Sequence, residues 1–66
     1  MKVSVVPEHR AELLVAVVPK QKADMLVANV SEYRADKLVA IVSKERAQLR
    51  VAFVPEHRIK NDDNPN

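Results

Sequence analysis

The sequence predicts an α/β repeat, five short strands alternating with helices of one or two turns, and three observations carry the prediction. Twelve residues recur along the chain: from Val6 the blocks read VPEHRAELLVAV, VPKQKADMLVAN, VSEYRADKLVAI and VSKERAQLRVAF, followed by a truncated VPEHRIK. Each block closes on a run such as LVAVV, LVANV, LVAIV or RVAFV, rich in β-branched residues and of the length of a buried strand. Each block also opens on Pro or Ser at its second residue, followed by good helix formers such as EHRAEL and KERAQL. Columns are numbered here from the Val that opens a block, so that Val6 stands in column 1 and Val17 in column 12.

The first strand is the plainest. KVSVV at the N-terminus has no helix formers before it, and Val3-Ser4-Val5 stands where Val15-Ala16-Val17 stands one block later. Repeat symmetry then places strands near 2–6, 13–18, 25–30, 37–42 and 49–54. Column 2 holds Pro7, Pro19, Ser31, Ser43 and Pro55; Pro suits the first turn of a helix and Ser an N-cap, so each connection reads as a helix start. Glycine is absent. Primed hairpin turns and glycine caps need positive φ, which only Asn29 and the Asn and Asp residues after Lys60 would adopt at low cost. Residues 1–60 form one repeat domain, and the polar tail NDDNPN at 61–66 reads as disordered.

An all-α array of short helices is the alternative. Ala11, Leu14, Val15 and Val18 have the i, i+3, i+4, i+7 spacing of a helical face. One continuous helix is excluded, because twelve residues at about 100° each rotate the apolar stripe by about 120° per block. The strand reading meets a limit of its own: a parallel crossover ordinarily takes about a dozen residues, and about seven remain between strands. An antiparallel meander, or strands paired with a second chain, would relieve it.

Charge follows the columns. Column 3 alternates as Glu8, Lys20, Glu32, Lys44 and Glu56, so consecutive blocks set side by side would place opposite signs together. Column 5 is always basic, Arg10, Lys22, Arg34, Arg46 and Arg58, a candidate stripe for phosphates or a solvated face offset by Glu12, Asp24 and Asp36 in column 7. Column 9 is Leu14, Leu26 and Leu38 in the middle copies but Lys2 and Arg50 in the outer two, which reads as capping of sheet edges.

Chemistry finds little footing. The chain has no cysteine, so disulfides and thiolate metal sites are excluded. His9 and His57 share a column without a ligand-spaced companion, and they could meet only if the array closed on itself or joined another chain end to end; closure would set Glu8 against Glu56. Ser4, Ser31 and Ser43 are accounted for by a strand and by caps, no Gly-rich phosphate loop exists, and charges recurring in every block do not make a unique constellation. The chain is therefore expected to be no enzyme, with no cofactor, metal or small-molecule substrate. No apolar run approaches the roughly 18 residues of a membrane span and no signal pattern is seen, so a cytoplasmic or recombinant product without a membrane partner is expected.

The opening KVSVVPEHRAELLVAVV resembles the strand-then-helix start of ribbon-helix-helix DNA-binding proteins. That resemblance implies a small dimer whose paired strands enter the major groove, with Lys2 and Ser4 facing outward. The reading preferred here is a self-associating structural or protein-interaction module, since 66 residues with one Phe and one Tyr make a thin core that a second copy could complete. The regularity of the copies fits an artificial, designed sequence as well as a natural one.

Overall fold

A computed structural model describes residues 1–59; the tail at 61–66 lies outside them. The five strands stand close to their expected places: β1 (Lys2–Val5), β2 (Leu13–Val17), β3 (Met25–Asn29), β4 (Lys37–Ile41) and β5 (Leu49–Phe53). Between them are single turns rather than α-helices, 3-10 in the first three connections and a hydrogen-bonded turn at 44–46 in the fourth, and the all-α array is not found.

The strands close into a barrel in the order β1-β3-β5-β2-β4, and every seam is parallel. Neither the antiparallel meander nor pairing with a second chain is needed. Each strand pairs with strands two or three blocks away in sequence, so consecutive blocks are never neighbours. The stagger is the same at every seam: Lys2 lies opposite Ala28, Leu13 opposite Val39 and Met25 opposite Val51, while Val3 lies opposite Lys37 and Val15 opposite Leu49. In column terms each strand is shifted by two residues against its neighbour, which tilts the strands strongly and places equivalent residues on one level of the barrel.

This stagger explains how so short a connection suffices. The Val6 N–H donates to the Val39 carbonyl and the Glu12 N–H to the Leu38 carbonyl, both at 2.8 Å. The chain thus leaves β1 on one side of β4 and begins β2 on its other side, at the same level. It has only to step over one strand, roughly 10 Å for two strand spacings, which seven residues span without strain. The other connections repeat the step: Val18 and Asp24 bracket β5, Val30 and Asp36 bracket β1, and Val42 and Gln48 bracket β2.

Each turn is built alike. The column 5 N–H donates to the column 2 carbonyl and the column 6 N–H to the column 3 carbonyl, as in Arg10 to Pro7 (2.9 Å) and Ala11 to Glu8 (3.1 Å). Column 2 is extended, with φ −60° and ψ 153° at Pro7 and φ −67° and ψ 159° at Ser31, values that the proline ring favours. Ser31 makes no side-chain cap hydrogen bond, so it serves as an extended residue and not as the N-cap that the sequence implied. No described residue has positive φ, which is why the fold can do without glycine.

The core has two layers. Inside the barrel, Val3, Val15, Val27, Val39 and Val51 form a ring, each 1% exposed, with Met1, Leu13, Leu49 and Phe53 packed against it from the barrel's ends. Full burial of each such valine stabilises by about 1.5 to 3 kcal/mol. Outside the wall, Ser4, Ala16, Ala28, Ala40 and Ala52 of column 11 are buried, together with Val6, Val18, Val30 and Val54 of column 1. Small side chains in column 11 let the turns cross close over the strands. Burial on both faces is what made the apolar columns mimic a helical stripe, because alternation is lost when neither face meets water.

Five strands need five covers, and the chain makes only four connections. The truncated block supplies the fifth: Val54 donates to Val27 at 2.9 Å, and the turn Glu56–Arg58 packs over β3.

Candidate interaction surface

The turns form a ring around the barrel that follows the order of the strands they cover. Column 5 is therefore not a straight stripe; its members stand one to a turn. Arg10 bonds Glu32 at 2.7 Å, Arg34 bonds Glu56, and Arg46 bonds Glu8. In each case the cation of one turn reaches the column 3 carboxylate of the neighbouring turn. The hydrogen bond from Arg10 to Glu32, and then the attraction of that carboxylate's charge, raise the Arg10 pKa above its ordinary value. All these pairs are at the surface and individually contribute little to stability.

Column 7 has a role that its charge concealed. Asp36 accepts the backbone N–H of Lys2 (3.1 Å), Gln48 that of Leu14 (2.9 Å), Glu12 that of Leu38 (2.9 Å) and Asp24 that of Arg50 (3.0 Å). The backbone of the same column donates in return to the column 9 carbonyl. These paired bonds continue the ladder past the start of each strand. The Arg50 N–H, and then the Arg50 side chain, hold the Asp24 carboxyl below the usual carboxylate range. Gln48 was the available signal in the sequence: an uncharged residue in an acidic column shows that an acceptor is required, not a charge.

Lys2 and Arg50 cap no edge, because a closed barrel has none. Arg50 instead meets Asp24 at 3.4 Å, and Lys2 approaches Glu56 at 3.9 Å. Column 12 surrounds the C-terminal mouth of the barrel. There Val5 is 43% exposed, Val17 49% and Ile41 50%, with Phe53 half-buried and Asn29 exposed. Column 8 surrounds the opposite mouth with Met1, Leu13, Met25, Lys37 and Leu49; Met25 and Lys37 are exposed there.

Comparison with known proteins finds no protein-family model, no curated protein and no solved structure that matches this chain. The fold implied by the ribbon-helix-helix resemblance is not present, since β1 is paired on both sides within one chain and no α-helix occurs among the described residues. His9 and His57 stand on the turns over β4 and β3, which are not adjacent in the ring. The barrel closes without setting Glu8 against Glu56, because each glutamate faces the arginine of a neighbouring turn. Among the described residues no group of three or more His, Cys, Asp or Glu could hold a metal ion. No helix among them is long and apolar enough to cross a membrane.

Proposed function

We propose that this protein is a non-enzymatic interaction module that associates with copies of itself through the C-terminal mouth of its barrel. The observation that carries this reading is the cluster of Val5, Val17 and Ile41 at one end of the molecule, each about half exposed, beside Phe53. Large apolar side chains gathered on one face favour contact with another apolar surface. The strands satisfy one another within the chain, so copies meet end to end and not by strand addition. Five side chains fall far below the roughly 20 to 30 residues a side of a standard interface, and association is accordingly weak and concentration-dependent. A phosphate-tracking role for column 5 has less support, because Glu32, Glu56 and Glu8 already engage three of its five cations.

Sedimentation equilibrium tests the proposal. The wild-type average mass rises from micromolar to millimolar concentration, while a Val17→Glu, Ile41→Glu variant stays monomeric at the same concentrations. A wild-type chain that stays monomeric throughout would refute it.

A further inference from the structure

The alternation of column 3 acquires a different meaning in the barrel. Because ring neighbours are two or three blocks apart in sequence and never consecutive, Glu8, Lys20, Glu32, Lys44 and Glu56 do not alternate in space. Around the ring they are sorted into three consecutive glutamates and two consecutive lysines. Three junctions between turns therefore join an arginine to a glutamate. At the other two, the same geometry sets cation beside cation: Arg58 of the turn over β3 next to Lys20 of the turn over β5, and Lys22 of that turn next to Lys44 of the turn over β2. Lys44, Lys22, Lys20 and Arg58 thus follow one another along a single arc. Four positive charges are gathered there on a chain whose net charge is +2; Glu45, on the turn that carries Lys44, offsets one of them, and Asp24, which lines a surface groove with Lys44, is already engaged by Arg50.

We infer that this arc binds an acidic segment of a partner protein, whose carboxylates occupy the two junctions that lack a glutamate of their own. The three complete junctions show that the cation of column 5 can bond a carboxylate held at column 3's place. At the two incomplete ones a carboxylate from outside would meet the column 5 cation and, in addition, the column 3 lysine. Nucleic acid is the weaker fit, since four cations limit the number of phosphates that can be neutralised and with it the electrostatic affinity, and Tyr33, the one tyrosine available for stacking, stands on the turn over β1, outside the arc. The inference does not rest on self-association: it uses the flank of the barrel and not its mouth.

The test uses a labelled peptide alternating Glu and Ser, titrated by fluorescence anisotropy against the full-length chain at low and at physiological salt. The comparison is a Lys20→Glu, Lys44→Glu variant, which restores an oppositely charged neighbour at both junctions and so should keep the fold, as its circular dichroism and melting temperature will report. The expected result is binding to the wild type that weakens with salt and falls at least tenfold in the variant. Equal binding by a folded variant, no wild-type binding at low salt, or tighter binding of a DNA single strand of equal charge would each overturn the inference. A chain carrying Asp62→Asn and Asp63→Asn completes the set: binding that appears only in that chain assigns the arc to the protein's own tail instead of a partner.

Discussion

Asp24 illustrates how much one residue does at a junction of strands. It accepts the Arg50 backbone N–H and meets the Arg50 side chain, and both interactions favour its charged form, so its folded pKa lies below the unfolded value. A depressed carboxylate contributes stability that is present above the unfolded pKa and is lost as pH falls through the folded one. The prediction is that Asp24→Asn, which keeps an acceptor oxygen, flattens the acid side of the stability profile. Denaturant midpoints measured from neutral pH downward should fall less steeply in the variant than in the wild type. A parallel loss in both would show that the Asp24 bonds do not exist in solution. The column's acidity was legible in the sequence; its function was not, because a carboxylate that balances charge and one that completes a ladder look alike until the ladder partner is known.

At the scale of the element, the turn is the part that the sequence placed correctly and described too generously. Pro and Ser at column 2 do mark the start of each connection, yet two i to i+3 hydrogen bonds make a single 3-10 turn and not a helix of one or two turns. The step over a strand leaves no room for more. Ser31 adopts nearly the dihedrals of Pro7 and Pro19, and the ladder bond comes from the Val30 N–H. Ser31→Pro should therefore stabilise the protein by about 0.4 to 1 kcal/mol, through the smaller entropy of the unfolded chain. Thermal or chemical denaturation checks it, and a destabilised variant would mean that the extended column 2 geometry is wrong.

At the scale of the molecule, the register of each seam joins residues 26 or 34 apart in sequence, so no strand pair is stable before distant blocks have met. Such non-local pairing makes folding slow relative to a helical protein of this size. It also makes the truncated last block structural. Ending the chain after Val54 removes the turn over β3 and uncovers Ala28, which is 0% exposed in the whole protein. The shortened chain is expected to lose its cooperative unfolding transition by near-ultraviolet circular dichroism and calorimetry, whereas a chain lacking only residues 61–66 retains it. An unchanged transition after removal of the last turn would show that the fifth cover is dispensable. What the sequence alone determined is local: where the strands lie, that Val of columns 1 and 10 belongs to an apolar face, and that connections start at column 2. These follow from side-chain branching and backbone preference, which act over a few residues. Pairing order was left to the tertiary structure, because five nearly identical strands satisfy one another equally well in any order as far as composition goes. The decision falls to the reach of a seven-residue connection, which can step over one strand but cannot travel back along a barrel. That constraint sets neighbours two or three blocks apart, removes the edges that Lys2 and Arg50 would have guarded, and converts an alternating column into separate acidic and basic arcs.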